Sequence, residues 1–256
     1  MYYQDLEHFK GVCGYTIDGV WYPRVTKIID IKSKPALYRF YAELENFGKG
    51  EEIKRISANE GTRIHEAVEK ILVGETPEPD PSIAPSIEAF LLFLKGTPVH
   101  VDPAHVERKV FHPKDRYAGT IDALATIGGT FGLCDIKTSQ AVYRDYDLQT
   151  GAYMAALERE FPHLETRWIL RIDQYRTCAK CGATLRQKGG RDKIRLPRGT
   201  SILPPCEHEW SAVKGYIELD ERETRFPWRD DFQAFLGAKK LWEWDNMDWL
   251  KRVGYF

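Results

Sequence analysis

The segment from Tyr117 to Ser139 constrains the fold more strongly than any other part of the sequence. Residues 120–127 and 130–138 are rich in β-branched and apolar side chains, as strands are. Gly128-Gly129 between them supplies the positive φ angles of a two-residue hairpin turn. That turn pairs Ile127 with Thr130, and the same register places Asp122 opposite Asp135.

This hairpin predicts one face with two opposed carboxylates. Like charges directly opposite each other destabilise an antiparallel pair. Because side chains alternate along a strand, Lys137 shares the face of Asp135, whereas Cys134 and Ile136 point the other way. Two carboxylates and an ammonium on apolar strands suit a divalent cation beside a reacting phosphate. The alternative is a solvated hairpin face on which the lysine neutralises one aspartate.

The composition of the chain excludes several classes of protein. With 43% hydrophobic and 29% charged residues, the 256-residue chain resembles a globular protein and not a disordered one. The net charge of −1 means that any DNA contact must come from a local basic patch. No apolar run reaches the roughly 20 residues of a membrane span, and the N-terminal segment lacks a secretory pattern. We therefore expect a cytoplasmic protein without a membrane partner.

The order of the predicted elements indicates an α/β fold, with helices packed on a sheet. In chain order, we predict a hairpin turning at Asp18-Gly19, helices within residues 35–55, 58–74 and 83–94, a strand within 105–113, the Asp-bearing hairpin, a helix over 147–160, strands at 167–175 and 212–220, and a helical C-terminal segment over 230–252. Residues 177–210 differ in character and interrupt a strand pair. We predict a core of residues 1–176 and 211–256 with an inserted finger of residues 177–210.

Several of these residues follow each other in a characteristic order. His65 on a helix, Asp122, the segment Asp135-Ile136-Lys137, and Gln149 and Tyr153 four residues apart resemble the motifs of the RecB-type branch of the PD-(D/E)xK nucleases. The resemblance spans roughly residues 25–175, and residues 230–244 are similar to the tails of phage-type members. It implies a restriction-endonuclease-like core, a central mixed sheet flanked by helices, working in the cytosol of a bacterium or a phage host.

The resemblance implies a catalytic metal site. Asp122 and Asp135 would ligate Mg²⁺ or Mn²⁺, and the backbone carbonyl of Ile136 would complete the protein ligands. His65 would be a further metal ligand. Alternatively, this histidine is a packed surface residue on the edge of an apolar helix stripe.

The resemblance also implies roles for three other side chains. Lys137 would position or deprotonate the attacking water and offset charge on the phosphate. Gln149 and Tyr153 lie on one helix face and would support the site or contact the scissile strand. Alternatively, the tyrosine ring belongs to the core. Glu107, in the strand before the hairpin, matches an acidic position in some relatives, or pairs with a neighbouring lysine.

The insertion predicts a second metal site. Cys178-x-x-Cys181-Gly is typical of a zinc knuckle, and Cys206-x-His208 supplies a second pair for a tetrahedral ion, as in a zinc ribbon. Because this pair is separated by one residue only, His208 is the least certain ligand. Some RecB-like nucleases hold an iron–sulfur cluster instead, and here Cys13 with the three insertion cysteines would supply its four thiolates. We expect Cys134 to be a core residue.

Between the two halves of the insertion lies the basic run "RQKGGRDKIRLPR". It is either a solvated flexible loop or, as we expect beside a phosphate-cleaving site, a finger that contacts the nucleic-acid backbone. We expect the finger to be separate from the catalytic hairpin. The proposed contacts are Arg186, Lys188, Arg191, Lys193, Arg195 and Arg198.

Taken with the resemblance, the motifs predict a Mg²⁺- or Mn²⁺-dependent deoxyribonuclease. An exonuclease is favoured because of the family-like helix of His65, and a recombination or replication protein is a candidate partner. The sequence leaves two alternative functions open. One is a structure-specific endonuclease of the same fold, and the other is a non-catalytic nucleic-acid-binding protein that uses the zinc ribbon.

Overall fold

The predicted elements occur in the predicted order, and the structure adds others, such as a helix over Leu6–Cys13 and two strands within the insertion. The computed structural model describes residues 3–197, 199 and 206–256. The helices are α1 Leu6–Cys13, α2 Val25–Ile29, α3 Pro35–Ala42, α4 Phe47–Leu72, α5 Ala84–Gly96, α6 Asp145–Leu157, α7 Trp228–Asp245 and α8 Met247–Arg252. The strands are β1 Gly14–Ile17, β2 Val20–Pro23, β3 Val99–His112, β4 Tyr117–Ile127, β5 Thr130–Lys137, β6 Thr166–Thr177, β7 Thr184–Lys188, β8 Arg191–Arg195 and β9 Lys214–Glu221.

Seven strands form one mixed sheet. Its strands follow the order β3-β4-β5-β6-β7-β8, and β9 also pairs with β6. The pairs are antiparallel except for β5 with β6, which run parallel. A parallel pair needs a crossover connection, and α6 lies in the segment between these two strands. The predicted α/β architecture with a mixed sheet flanked by helices is confirmed.

The Gly128-Gly129 hairpin has the predicted register. Both glycines have positive φ angles, 60° and 92°, and the ladder runs from Ile127↔Thr130 to Ala123↔Cys134. It ends one pair before the two aspartates. Asp122 instead accepts a hydrogen bond of 2.5 Å from the backbone N–H of Ile136, while β5 continues in parallel pairing with β6. The two carboxylates therefore lie at the end of the β4–β5 ladder and not within it.

Hydrophobic cores cover both faces of the sheet. On one face, α1, α2, α6, α7 and α8 surround buried residues such as Phe9, Tyr117 and Phe235. On the other face, α4 and α5 pack residues such as Ile64 and Phe90 against the strands. Fully burying an aliphatic or aromatic side chain of this size contributes roughly 1.5–3 kcal/mol. None of the described helices combines the length and apolar character needed to cross a membrane.

Helix α4 joins the later part of the predicted helical segment 35–55 to the predicted helix over 58–74 in one continuous helix. The apolar stripe is visible only from about residue 58, because residues nearer the start contact α3 and solvent instead of the core. Asn46 caps the helix by accepting a hydrogen bond from the backbone N–H of Lys49. At Gly50 a β-carbon would lie 2.5 Å from the ring of Tyr41, so α3 packs closely on this end of α4.

A buried ion-pair network attaches α6 to the sheet. Arg167 of β6 has no exposed surface, donates to the backbone carbonyl of Asp147 at 2.8 Å and pairs with Asp231 of α7. Arg222 donates to both carboxylate oxygens of Asp147 at 2.6 and 2.7 Å. Removing one partner of such a pair costs on the order of 3–5 kcal/mol. The network fixes the helix that carries Gln149 and Tyr153.

Candidate active site and candidate metal centre

Asp135, near the end of β5, is the central carboxylate of the candidate active site. Its side chain is buried, with Oδ2 lying 2.5 Å from Nζ of Lys137 and Oδ1 accepting from Nε2 of Gln149 at 3.1 Å. Apart from this ion pair with Lys137, Oδ2 is buried and has no hydrogen-bond partner among the described residues. A buried carboxylate oxygen with free acceptor capacity suits a cation.

Two further acidic residues join this site. Val106↔Ala123 and Arg108↔Ile121 are paired, so Glu107 of β3 lies at the register position opposite Asp122. Glu107 has a positive φ of 49° close to a β-bulge, and its carboxyl group lies beside that of Glu69 of α4. Glu69 was missed by the sequence analysis. It is four residues after His65, a spacing that places both side chains on one helix face.

The carboxyl groups are crowded enough to change their protonation. Burial raises the pKa of Asp135 to about 6. The ammonium of Lys137 opposes this rise, and the negative charge of Asp122 adds to it. Burial, with Glu69 and Asp122, raises the pKa of Glu107 to about 8, even though part of its side chain remains exposed. Burial lowers the pKa of Lys137, but Asp135 and Asp122 more than reverse the effect. This group of acids therefore binds protons readily, and a divalent cation would replace them.

His65 reaches the same site from α4. Burial, and then the ammonium of Lys137, lower the pKa of this imidazole, while its contact with the Ile136 backbone acts in the opposite direction. The neutral imidazole is the form that ligates metals. Carboxylate oxygens, a backbone carbonyl and one imidazole fit Mn²⁺ or Mg²⁺ chemically. Among the described residues, however, these acids do not converge as closely as the ligand atoms of the insertion do.

Gln149 and Tyr153 of α6 connect Asp135 to the core. Tyr153 is 2% exposed and belongs to the core, and Nε2 of Gln149 contacts its hydroxyl at 3.3 Å. A β-carbon at Gly119 would lie 2.4 Å from the tyrosine ring, so the ring needs a glycine in β4. The tyrosine thus packs in the core, and the glutamine connects it to the buried carboxylate.

The insertion brings four metal-ligand side chains together. Ligand atoms of Cys178, Cys181, Cys206 and His208 all lie within 4.8 Å of one another. Two sulfurs, of Cys178 and Cys206, are 4.0 Å apart, and Sγ of Cys181 is 3.4 Å from Nδ1 of His208. Tetrahedral zinc with ordinary bond lengths requires about 3.8 Å between thiolates and about 3.5 Å between thiolate and imidazole. This cluster can hold a metal ion such as zinc, and His208 is part of it.

Backbone hydrogen bonds bring the two halves of the cysteine cluster together. Gly182, with φ of 70°, donates to the carbonyl of Cys178 at 2.9 Å, and a bridge between Cys178 and Trp210 brings the second pair close. Burial raises the pKa of the Cys178 thiol, but backbone N–H groups and His208 more than offset it and leave it at about 6. The knuckle therefore favours a thiolate, the form that ligates metal.

Cys13 is not part of this cluster. It is buried in the core around α1, and its thiol donates to the hydroxyl of Tyr3 at 3.1 Å. The iron–sulfur alternative that enlists Cys13 is therefore wrong. Cys134 is buried in the other core, as predicted.

The basic run of the insertion folds as the β7–β8 hairpin and lies against the candidate active site. Arg186 and Lys188 both donate to the backbone carbonyl of Thr138, at 2.8 and 2.7 Å. Arg195 contacts Gln140, and Arg191 pairs with Glu43 at 3.2 Å. The expectation that the finger is separate from the catalytic hairpin is wrong, because Thr138 directly follows Lys137. Among the expected contact residues, Arg198 lies outside the described residues.

A basic cleft opens beside the candidate active site. Its volume is about 400 Å³, and it is lined by His65, Lys137, Tyr146 and, from the hairpin, Arg186 and Lys188. The ammonium of Lys137 lies 5.1 Å from the centre of the Tyr146 ring. The cleft combines an imidazole and several cations, which is a suitable environment for an anionic substrate.

No family model matches the chain, and no curated protein matches it significantly. What the chain does must therefore be inferred from the geometry of its two candidate sites.

Proposed function

We propose that the protein is a Mg²⁺- or Mn²⁺-dependent deoxyribonuclease with a restriction-endonuclease-like core of the PD-(D/E)xK type. The observation that carries the proposal is the buried carboxylate of Asp135. It is held by Lys137 and Gln149, lies near Asp122 and sits beside a basic cleft. The motif order seen in the sequence supports the same conclusion.

The residues that would hold the catalytic metal are Asp122, Asp135, His65 and the backbone carbonyl of Ile136, with Glu107 as an additional carboxylate. When bound, the cation supplies Lewis-acid stabilisation of charge on a phosphodiester. Gln149 fixes the orientation of Asp135 through its hydrogen bond to Oδ1.

The ammonium of Lys137 has two tasks in this proposal. It pairs with Asp135 at 2.5 Å and also lines the basic cleft, so it can donate a hydrogen bond to an attacking water that lies in the cleft. Its positive charge also stabilises the charge that develops on the phosphate oxygens. Because Asp135 and Asp122 raise its pKa, the lysine stays protonated at neutral pH and acts first as an electrostatic group.

In the same proposal, the Cys178, Cys181, Cys206 and His208 cluster binds one structural Zn²⁺. The near-tetrahedral spacing of the ligand atoms supports zinc. The ion would hold the two halves of the insertion together and so fix the base of the β7–β8 hairpin.

The test of the proposed activity is cleavage of linear and covalently closed circular DNA with Mg²⁺, Mn²⁺ or no added divalent cation. We expect metal-dependent degradation of linear DNA from its ends, an expectation that rests on the resemblance of the His65 helix to exonucleases. Linearisation of closed circles would show an endonuclease. Absence of metal-dependent cleavage of any DNA would overturn the proposed function.

A further inference from the structure

A groove separates helix α3 from the β7–β8 hairpin. Its volume is about 330 Å³, and its lining includes the apolar side chains of Leu37, Phe40 and Ile53. The lining also includes five cations: Lys54, Arg186, Lys188, Arg191 and Lys193. Helix α3 has no buried residue, so its apolar side chains are not used in a core.

The walls of this groove are fixed by close contacts. The hairpin turns at Gly189-Gly190, and a β-carbon at Gly189 would lie 2.1 Å from Oγ of Ser57 and 2.7 Å from the carbonyl oxygen of Ile53. The turn therefore rests directly on α4. The guanidinium of Arg191 lies 5.4 Å from the centre of the Phe40 ring, which connects the hairpin to α3. The shape of the groove is largely formed before any ligand binds.

Positive charge remains in the groove after its ion pairs are counted. Lys54 pairs with Glu51, Arg186 with Asp173, and Arg191 with Glu43. In the described part of the chain, Lys188 and Lys193 form no ion pair. Burial, and then neighbouring arginines, lower the pKa of both lysines, to about 8 for Lys188. An anionic ligand would reverse this effect, so the groove favours phosphates.

The groove is continuous with the cleft beside the candidate active site. The two depressions share Ser57, Gln140, Arg186 and Lys188 as lining residues. The aromatic ring of Phe40 lines the outer depression, and Lys137 and His65 line the inner one. A chain of phosphates could therefore pass along the hairpin from Phe40 to the candidate metal site.

We propose that this groove binds an unpaired DNA strand, with a base stacked on Phe40 and the backbone phosphates contacted by Lys188 and Lys193. Aromatic faces and cations in one narrow groove are the features by which proteins hold single strands. A duplex keeps its base faces stacked and would offer only its phosphates to Phe40. The position of this strand relative to the scissile phosphate rests on the proposed function, whereas the binding itself does not.

The test measures binding without cleavage. Fluorescence anisotropy with labelled oligothymidylate of about 12 nucleotides, in Asp135→Asn protein without Mg²⁺ or Mn²⁺, reports affinity while the DNA stays intact. Omitting a chelator keeps any structural metal in the insertion. We expect Phe40→Leu to weaken binding about tenfold, because it keeps an apolar side chain but removes the stacking surface. Phe40→Trp should keep the affinity of the protein with Phe40, because the indole also offers a stacking surface.

Matched variants separate stacking from general effects. Tyr38→Leu changes an aromatic residue of α3 that is 63% exposed and does not line the groove, so binding should stay unchanged. Lys193→Ala should reduce the slope of log affinity against log salt concentration by about 0.7, the value for one phosphate of a single strand. Blunt duplex DNA should bind equally to the protein with Phe40 and with Phe40→Leu.

Each outcome decides one of the two proposals. Equal losses in Phe40→Leu and Tyr38→Leu, equal losses for single-stranded and duplex DNA, or no loss in Phe40→Leu would overturn the groove assignment. Stacking-dependent binding in a protein that cleaves no DNA would support the groove and overturn the proposed nuclease. Cleavage of DNA by a protein whose binding is unaffected by Phe40→Leu would support the proposed nuclease and overturn the groove assignment.

Discussion

The ammonium of Lys188 donates a hydrogen bond of 2.7 Å to the backbone carbonyl of Thr138. Thr138 directly follows Lys137, so this bond joins the basic hairpin of the insertion to the end of the strand that carries the candidate catalytic residues. Arg186 donates to the same carbonyl at 2.8 Å. The cysteine cluster at the base of the hairpin and the carboxylates of the core are therefore structurally coupled.

Because of this coupling, Cys178→Ser should affect both sites. We expect loss of about one bound zinc per chain, since structural zinc supplies the folding energy of such small modules. We also expect slower cleavage of even short DNA, because the hairpin would no longer hold Thr138. Metal analysis and a cleavage assay measure the two effects. Cys13→Ser is the control, because this thiol contacts Tyr3 and should leave zinc content unchanged. Full cleavage by zinc-free protein would contradict the coupling.

Asp135→Asn should abolish metal-dependent cleavage while leaving the chain folded. The amide keeps the shape of the side chain but loses the charge that would hold the cation. Removing one electrostatic contributor of this kind costs on the order of 10²-fold in rate. Lys137→Ala should cost a similar factor. Asp248→Asn, an exposed aspartate on α8, is the matched control. Near-normal rates in Asp135→Asn or Lys137→Ala, measured with equal circular dichroism spectra, would exclude this site.

Gln149→Ala should act through the orientation of Asp135. The amide donates to Oδ1 of this carboxylate, so its loss should increase the metal concentration needed for half-maximal cleavage by about tenfold, as loss of a ligand-orienting partner does. Saturating Mg²⁺ or Mn²⁺ should recover most of the rate. Gln233→Ala, on the exposed side of α7, is the control. A reduced rate without any change in metal dependence would indicate a direct contact with the substrate instead.

The acidic group should make stability depend on pH. Because the folded state raises the pKa of Glu107 from 4.5 to about 8, the unfolded chain loses this proton first as pH rises. Stability should therefore fall between about pH 5 and pH 8, and Glu107→Gln should reduce that fall. Urea unfolding of both proteins at several pH values, without divalent cations, measures the difference. At pH 8, Mn²⁺ should increase the unfolding free energy of the protein with Glu107 more than it increases that of the Glu107→Gln variant. A difference in unfolding free energy that stays constant with pH would contradict this account.

Local patterns in the sequence indicated most of the secondary structure and the motif residues, but not α1 or the β7–β8 hairpin. The Gly128-Gly129 turn has the predicted register because two adjacent glycines with positive φ angles fix the pairing of Ile127 with Thr130. The alternation of side chains placed Lys137 beside Asp135 for the same local reason. The knuckle spacing of Cys178 and Cys181 also identified the insertion cluster, because a Cys-x-x-Cys-Gly turn is a property of a few consecutive residues.

Tertiary structure alone decided which separate segments meet. Glu69 joined the acidic group because α4 packs across the sheet near the β3 bulge, and no short-range pattern encodes that approach. Cys13 was excluded from the metal cluster because α1 buries it in a different core. The basic run lines the cleft beside the candidate active site because Gly189 lets the hairpin turn rest on α4. These contacts join residues far apart in the chain, and their geometry depends on how whole elements pack, which periodicity and spacing do not specify.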